Sequence, residues 1–472
     1  LASNLYYGRS DRKTYNGDLN GDYCTAAQSA DPNEECYQLA VNIYEGVLNR
    51  TSTKQDAYGA NTQVTFDQDW LGKKNQLIVG AAAEYSVIKF RQSEQEIATL
   101  EASGFFSGAT EDEAQTTGLT GKTKTFGLFA TNTHSLSDKW SLNTAARYNF
   151  IQVDNLDTFN DAADSVSLTG KHHYERINPS VGLTFHPNDN YTTYASYSES
   201  NRAPTSIELG CSNPDAPCTL PTQMADDPPL DMVVAKTFEI GARGKISNNI
   251  RWNASIYDAT NYDDILFVYA SASNGMGYFT NVDETTRQGL DMGLSAKFDS
   301  LNINVSYGYV RARYGSDFTM VSEANSSADP VDGDITVEDG DYLPNIPKHQ
   351  LKIRTLYEVT PKWSIGSTLT AFSSSYMAGN ENQENDPSSD PYLQSEIPGY
   401  AIVNLDSDYL INKQWNLSFK AINIFDNEYY TGGRLAETNV QSDRTFDDDQ
   451  RAVASMLPGA PRAAWVSLRY EF

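Results

Sequence analysis

The sequence predicts an all-β protein whose strands form a transmembrane, antiparallel, up-and-down β-barrel. Three observations predict this class. Apolar and polar residues alternate over long segments, the connections between segments alternate between short and long, and the chain ends on an alternating strand. A period of two places one kind of residue on each face of a strand. The pattern gives about sixteen strands.

The alternation is clearest in residues 301–309 and 415–421. In the second segment, Trp415, Leu417 and Phe419 lie on one face, and the residues between them are polar. Many such segments run ~10–15 residues, whereas strands of ordinary globular sheets run ~5–6. No long stretch combines a helical apolar period with caps at both ends.

The connections sort into two kinds that alternate along the chain. Short turns are predicted at Leu71–Asn75, Ser137–Lys139, Pro187–Asn190, Ser247–Asn249, Asp299–Ser300, Thr360–Lys362 and Asn412–Gln414. Long polar loops are predicted at 10–54, 92–120, 156–169, 202–230, 264–276, 315–346, 377–397 and 428–459. An up-and-down barrel with short turns on one rim and long loops on the other produces this order.

The composition excludes several classes of protein. With 62 acidic and 35 basic residues the net charge is −27, which argues against nucleic acid as a partner. Disorder is disfavoured because 11% of the residues are aromatic. No apolar run approaches the ~18–20 residues of a membrane-spanning helix. Composition alone therefore resembles a soluble acidic protein, and only the alternation indicates a membrane barrel.

A soluble sandwich, propeller or solenoid is the alternative fold. Those folds use shorter strands, and propellers and solenoids repeat every ~20–50 residues, a repeat that this sequence lacks. A closed barrel also removes the exposed edges of long strands. Aromatic residues near strand ends fit an interfacial girdle: Trp140, Trp252, Trp363, Trp415, Tyr376 and Tyr409.

The last strand places Leu468, Tyr470 and Phe472 on one face, with the aromatic Phe472 at the end of the sequence. This arrangement resembles the signal that the outer-membrane assembly machinery recognises. An ordinary strand at the end of a chain is the alternative interpretation, and the alternation disfavours it.

Several stretches resemble the C-terminal barrel of TonB-dependent outer-membrane transporters. Their order and spacing over residues ~175–472 carry the resemblance, whereas the first ~170 residues fit by architecture. The stretches are Asn178–Phe185, Tyr191–Ser198, Asn201–Thr205, Thr237–Gly244, Arg287–Asp291, Leu343–His349, Pro398–Tyr400, Asn423–Tyr430 and Pro458–Arg462.

The resemblance implies a 22-stranded barrel with a plug in its lumen. Residues 1–472 are then the C-terminal portion of the barrel, and the plug and about six strands lie elsewhere, in a longer protein or a separate chain. It also implies a Gram-negative outer membrane with long loops extracellular and the C-terminus periplasmic. Implied partners are TonB, the plug, outer-membrane lipid, lipopolysaccharide and a small-molecule ligand. A plug-free passive porin of about sixteen strands is the alternative.

The function so implied is import of a scarce nutrient, most often a ferric siderophore, with no enzymatic activity and no required cofactor. No nucleophile elbow, phosphate loop or metalloprotease motif appears in the sequence. Arg forks match oxygen-rich anions, and Tyr rings offer flat contact surfaces. The candidate ligand residues are Arg202, Arg287, Arg434, Arg444, Tyr269, Tyr342, Tyr429 and Tyr430. A structural role, with bonds to neighbouring carboxylates, is the alternative for Arg202 and Arg287.

The loops are rich in carboxylates, among them Asp332, Asp334 and Asp339. Calcium binding by these oxygens, attraction of a cationic ligand and a solvated acidic surface all fit this composition. The spacing does not match the 12-residue calcium loop.

Four cysteines fall as two close pairs in two long loops, Cys24 with Cys36 and Cys211 with Cys218. An even number, local pairing and export predict two disulfides that stiffen the loop tips. A metal site is disfavoured because neither loop supplies a nearby His.

Overall fold

The computed structural model describes residues 1–19, 46–100, 106–159, 167–212, 218–219, 230–271, 276–389, 393–440 and 446–471. Its strands are β1 Ala2–Leu19, β2 Gly46–Trp70, β3 Lys73–Leu100, β4 Phe106–Thr110, β5 Ala114–Ser135, β6 Trp140–Asp157, β7 Gly170–Asn188, β8 Tyr191–Arg202, β9 Cys218–Thr219, β10 Val233–Ser247, β11 Ile250–Ser271, β12 Met276–Phe298, β13 Leu301–Tyr314, β14 Phe318–Val321, β15 Asp334–Val337, β16 His349–Thr360, β17 Trp363–Phe372, β18 Ser375–Tyr376, β19 Glu396–Ile397, β20 Tyr400–Leu410, β21 Trp415–Ile422, β22 Tyr430–Val440, β23 Phe446–Pro458 and β24 Ala463–Tyr470. A one-turn helix, Ser206–Leu209, and a 3-10 turn, Pro387–Ser389, complete the described elements. In the described part of the chain, no helix has the length and apolar composition needed to cross a bilayer.

Sixteen long strands form one antiparallel meander, which confirms the predicted fold class and strand number. Their order is β1, β2, β3, β5, β6, β7, β8, β10, β11, β12, β13, β16, β17, β20, β21 and β24. The short β4 and β9 pair with β3 and β12 and bring the sheet to 18 strands. Among the described residues no ladder joins β1 to β24, so each is an edge of the sheet.

The seven short connections lie where the sequence predicted them, at one rim of the sheet: 71–72, 136–139, 189–190, 248–249, 299–300, 361–362 and 411–414. The strands reach further toward the opposite rim than predicted. β2 and β3 have 25 and 28 residues and continue through parts of the segments assigned to loops at 10–54 and 92–120. Residues 49–54 and 92–96 of these extensions are all polar, so the apolar alternation that marks a strand in sequence fades before the ladder ends.

The outer face of the sheet exposes apolar side chains over most of its strands. Phe126, Ile177, Phe238 and Ile256 are between 42% and 63% exposed, although each lies in the middle of a long strand. A continuous apolar face of this size is typical of a surface that contacts lipid.

Aromatic pairs mark the short-turn rim on that outer face. Trp140 stacks on Phe185 with ring centroids 4.3 Å apart, and Trp415 lies 4.8 Å from Tyr470 on the neighbouring strand. Paired rings at one level fit the predicted interfacial girdle. Tyr376 is an exception, because it belongs to β18 near the long-loop rim and faces Tyr342.

Near the long-loop rim, the loops fold back onto the inner face of the strands. Phe90 shows this, because it is 7% exposed while its neighbours Lys89 and Arg91 are exposed on the opposite face. Phe90 packs with Leu119 and Leu168, and Val153 packs with Leu209 of the one-turn helix. Each buried aliphatic or aromatic side chain contributes roughly 1.5–3 kcal/mol. Small apolar clusters therefore hold the loops over the lumen.

Two further clusters organise the remaining loops. The hairpin of β14 and β15 packs through Ile335 and Val337 on Ala312 of β13. Met377 and Ile397 join Leu435 of the β22–β23 hairpin. We call these segments, β14, β15, β18, β19, β22 and β23 with their connections, the loop layer.

Candidate ligand-binding surface of the lumen

The lumen-facing side chains are those that alternate with the exposed apolar ones. Asn178 is 8% exposed, whereas Ile177 beside it is 63% exposed. Residues directly opposite in neighbouring strands share a face, so the register extends this assignment around the sheet. The inner wall that results is mostly polar in its middle.

One polar cluster lies on β6, β7 and β8. Asn149 and Asn178 each donate to the side-chain oxygen of Asn201, at 2.9 and 2.6 Å. Arg147 donates through Nε to Asn149 at 2.7 Å, and its guanidinium lies 5.8 Å from the ring centroid of Phe129. The cluster combines a guanidinium, amides and an aromatic face, which are suited to an oxygen-rich anionic ligand.

A second cluster spans five strands, β16, β17, β20, β21 and β24. Arg354 of β16 forms a bidentate ion pair with Asp406 of β20, with Nη2 2.7 Å from Oδ2. The pair passes over Gly366 of β17, where an added Cβ would lie 2.4 Å from the guanidinium nitrogens. Lys420, opposite Asp406 on β21, lies 5.4 Å from the ring centroid of Trp465. Gly366 is therefore the residue that lets the ion pair bridge the strand.

An aromatic ladder extends this wall toward the long-loop rim. Phe372 and Tyr400 are directly opposite, with ring centroids 5.2 Å apart, and Tyr429 lies 4.6 Å from Tyr400. The three rings are half-buried. Tyr429 also accepts a hydrogen bond from the Ala460 amide at 3.1 Å. The ladder therefore includes one of the tyrosines predicted as a contact surface.

Arg202 and Arg287 are both bound to neighbouring carboxylates, which is the structural role given above as the alternative to ligand binding. Arg202 Nη1 lies 2.9 and 2.8 Å from the two oxygens of Glu208, which also completes the capping box of the one-turn helix with Thr205. Arg287 Nη2 lies 3.7 Å from Asp264, and Nη1 donates to Thr285 at 3.0 Å. These bonds support a positioning role for both arginines at the base of the loops.

The other predicted ligand residues lie on different elements. Arg434 lies on β22 opposite Ser455, and Tyr430 packs against the cluster around Met377. Tyr269 pairs through its main chain with Gly277 on β12. Arg444 lies outside the described residues. The described arginines and tyrosines of the predicted set therefore do not form one site.

Tyr342 belongs to a separate basic and aromatic cluster. Arg313 donates to its hydroxyl at 3.0 Å, and Lys348 lies 3.6 Å from its ring centroid. The hydrogen bond from Arg313 lowers the pKa of Tyr342, and Lys348 lowers it further. Arg313 alternates with buried Ala312 and Tyr314 along β13, and Tyr342 lies 6.0 Å from the ring of Tyr376 on β18, so this cluster adjoins the loop layer.

The acidic loop residues Asp332, Asp334 and Asp339 lie apart in the hairpin of β14 and β15. Asp339 donates its amide to Asp317 at 2.7 Å, and Asp332 donates its amide to Asp329 at 3.3 Å. Within the described residues, no three carboxylate, His or Cys side chains converge so as to hold a metal ion. Calcium binding therefore gains no geometric support from them.

A buried carboxylate is the main titratable feature of the loop layer. Glu381 is 5% exposed, accepts a hydrogen bond from the Gly379 amide at 3.0 Å, and leaves Oε2 without a partner. Burial raises the pKa of Glu381 to about 7. Buried asparagines surround it, including Asn325, which donates to Gly379 and to Asn382.

Cys211 is disulfide-bonded. Its Sγ lies 3.6 Å from the Gly277 carbonyl oxygen, and Cys218 pairs with the same Gly277 through β9. This placement supports the predicted Cys211–Cys218 pairing. Cys24 and Cys36 lie outside the described residues.

At the end of the sheet, Leu468 and Tyr470 are 56% and 41% exposed on the outer face. Phe472 lies outside the described residues. The outward orientation agrees with the predicted assembly signal, whose recognition stays a prediction.

The wall residues that sequence reasoning did not single out are Arg147, Arg354, Lys420 and Trp465. Each occupies an inner-face position of a strand, so the alternation of apolar and polar residues could already have assigned it to the lumen. The sequence did not show which of the polar alternate positions lie opposite one another, because that depends on register.

The fold and the wall together define a class of protein, a β-barrel whose polar lumen is partly covered by its own loops. Residues 1–424 match the family described as "TonB dependent receptor-like, beta-barrel". The chain therefore belongs to the TonB-dependent receptor family.

Two curated relatives are named as receptors, one for a siderophore and one for ferric pyoverdine. The chain is 22% identical over 298 residues to the probable TonB-dependent siderophore receptor PiuA of Acinetobacter baumannii, which covers 63% of this chain and 36% of that protein. It is 21% identical over 319 residues to the ferric-pyoverdine M114 receptor PbuA of Pseudomonas sp., covering 65% and 33%. The chain thus spans about a third of the length of these relatives.

Solved structures share the fold. The siderophore receptor PiuA of Acinetobacter baumannii matches with a TM-score of 0.62 and 18% identity, over 91% of this chain and 57% of that one. The ferripyoverdine receptor of the outer membrane of Pseudomonas aeruginosa matches with a TM-score of 0.64 and 16% identity, over 100% and 54%. The copper transporter OprC matches with a TM-score of 0.64 and 15% identity.

Proposed function

We propose that this chain is the barrel portion of a TonB-dependent outer-membrane transporter that imports a ferric siderophore or a similar large chelate. The observation that carries the proposal is the sixteen-strand meander with a polar, aromatic inner wall beneath inward-folded loops. A transporter of this kind binds its ligand at the mouth and performs no bond chemistry. The names of the curated relatives support an iron chelate as the ligand class.

The proposed orientation places the long-loop rim outside the cell and the short turns in the periplasm. The loop layer then covers the side from which a ligand arrives. Short periplasmic turns and longer extracellular loops are the rule in outer-membrane barrels.

The proposed partners are TonB, a plug and further barrel strands, contributed by the same longer protein or by a separate chain. Edges at β1 and β24 support the need for further strands, because a sheet edge inside a bilayer leaves backbone groups without hydrogen bonds. A passive porin of sixteen strands would instead have to pair β1 with β24.

The test compares uptake of radiolabelled ferric siderophores by cells with and without the intact gene, in backgrounds with and without TonB. We expect uptake that requires both the protein and TonB. Uptake independent of TonB, together with steady conductance of the purified protein in planar bilayers, would establish the porin instead.

A wall variant links the uptake to the lumen. Arg147→Gln removes a cation from the inner wall, and we expect the ligand concentration for half-maximal uptake to rise several-fold. Lys139→Gln, an exposed change in a short turn, serves as the matched control and should leave uptake unchanged.

A further inference from the structure

A cluster of basic side chains lies on the outer face of β1 to β7, in a chain whose net charge is −27. The strand register defines it as four successive rows of directly opposed residues. We call it the basic patch, and its Lys and Arg residues are Arg9, Lys13, Lys54, Lys89, Arg91, Lys122, Lys124 and Lys171.

The burial pattern shows that the basic patch faces outward. On β5, exposed Lys122 and Lys124 alternate with half-buried Thr123 and Thr125 and continue the face of exposed Phe126. Lys171 on β7 likewise continues the exposed face of Ile177. The patch is therefore part of the same surface as the apolar belt, displaced toward the long-loop rim.

A row of tyrosines marks the border between the belt and the basic patch. Tyr7, Tyr58 and Tyr85 are directly opposite one another on β1, β2 and β3, and the rings of Tyr7 and Tyr58 lie 5.0 Å apart. Aromatic rows of this kind occupy the level of the lipid headgroups. The next rows lie ~7 Å apart along the strands, so the basic side chains reach into the headgroup layer and just above it.

The few carboxylates in these rows do not neutralise the patch. They are Asp11, Asp56 and Asp154. Arg9 lies 3.9 Å from Asp56, while Lys124 and Lys171 share Asp154 at 3.8 Å each. Two lysines on one carboxylate leave an excess of positive charge, and Lys54, Lys89 and Lys122 add to it.

We propose that the basic patch binds the phosphate-bearing, anionic headgroup of lipopolysaccharide in the outer leaflet. The acyl chains would lie against the apolar belt below the tyrosine row, and the phosphates would meet the lysines at the level of this row and above it. Charge complementarity at headgroup depth favours this lipid over a soluble protein partner. The proposal rests on the orientation given under the proposed function.

The spacing of the patch suits a headgroup that carries more than one phosphate. Six neighbouring strands, ~4.8 Å apart, give a width of ~24 Å, and four rows give a height of ~20 Å. A free phosphate ion would contact one or two of these lysines, whereas a lipid anchored by its chains can engage several at once.

The test measures equilibrium binding of fluorescently labelled lipopolysaccharide to the purified full-length protein in detergent. The variant carries Lys89→Gln, Lys122→Gln, Lys124→Gln and Lys171→Gln. The control carries Lys74→Gln, Lys139→Gln, Lys362→Gln and Lys413→Gln, which removes four exposed lysines at the short-turn rim. Heat-shifted electrophoretic migration verifies that both variants are folded.

We expect the patch variant to bind lipopolysaccharide at least about ten-fold more weakly and with less dependence on salt, since it has lost four phosphate contacts. The control should match the unsubstituted protein. Equal binding by the patch variant, or equal binding of dephosphorylated lipopolysaccharide, would overturn the proposal. Displacement by inorganic phosphate at matched concentration would show a free-anion site and overturn the lipid assignment.

Siderophore uptake is measured separately in cells that carry the same variants. Loss of lipid binding with uptake retained supports the proposal. A failure of transport in every strain would count against the proposed function alone, because binding to the purified protein does not require transport.

Discussion

Individual glycines make room for side chains that cross over a strand. Gly366 lies beneath the Arg354–Asp406 ion pair, and any side chain there would collide with both partners. A similar contact occurs where the ring of Tyr194 lies over Gly241, 2.4 Å from the position of an added Cβ. Aromatic rings that cover a strand glycine are a recurrent way to stabilise sheets.

Gly366→Ala should destabilise the folded barrel by ~1–3 kcal/mol, because the new methyl group displaces a bidentate pair from its position. Gly182→Ala is the control, since its Cβ would meet Ser196 at an ordinary 3.5 Å. Urea midpoints of the refolded proteins measure both effects. An equal midpoint for the two variants would contradict this role of Gly366.

Glu381 should make the loop layer less stable as the pH rises. Its pKa is raised from 4.5 to about 7 in the folded protein. Well below pH ~4.5, Glu381 is protonated in both the folded and the unfolded protein. As the pH rises toward 7, the unfolded protein releases this proton while the folded protein keeps it, so the free energy of unfolding falls by up to roughly 3 kcal/mol. Amide hydrogen exchange in residues 376–386 should therefore be faster at pH 8 than at pH 5, after correction for intrinsic rates.

Glu381→Gln should abolish that difference in exchange, because the amide does not titrate. Glu384→Gln, an exposed change in the same loop, should leave it intact. A pH dependence that survives in the first variant would assign it to another group.

At the scale of elements, the order of strands and turns was predictable, while their lengths and contacts were not. The seven short turns were located correctly, because polar or turn-forming residues interrupt the alternating pattern at or beside each of them. The ends of β2 and β3 were missed because the polar stretches at residues 49–54 and 92–96 resemble loops in sequence. The pairs Arg354–Asp406 and Asn149–Asn201 depend on register between strands, which a single sequence specifies only weakly.

The last strand should govern assembly through its outward residues. Leu468→Asn with Tyr470→Asn removes apolar contact with lipid and the ring pair with Trp415. We expect a several-fold lower amount of folded, heat-modifiable protein in outer-membrane fractions. The control is Arg469→Gln on the opposite face, which should assemble normally.

At the scale of the whole molecule, the two edges distinguish a larger barrel from a closed barrel of sixteen strands. In a larger barrel, β1 and β24 each pair with further strands. Cysteines placed along β1 and β24 should then fail to form a disulfide with each other. The control pair Ser3→Cys with Thr62→Cys should cross-link, since these side-chain oxygens lie 2.9 Å apart on β1 and β2. Efficient β1–β24 cross-linking would favour the porin.

The family was predictable from sequence at this scale, but the distribution of charge was not. The acidic excess of the loops is visible as runs of Asp. The basic patch is spread as single residues over five strands and emerges only when the register aligns them. The candidate ligand residues were chosen by type and nearness to loops, and the structure places those that it describes on several barrel strands and in the loop layer.

The length of β3 has a consequence for where the mouth of the barrel stands. Its 28 residues, at ~3.3 Å each and a tilt of ~40°, rise ~70 Å, more than twice the ~30 Å of the bilayer core. With the long-loop rim outside, the strands on this side of the barrel extend beyond the bilayer into the sugar layer of the cell surface. A ligand would then be captured well above the lipid. Sugars and proteins outside the cell would contact these extended strands before they reach the lipid surface.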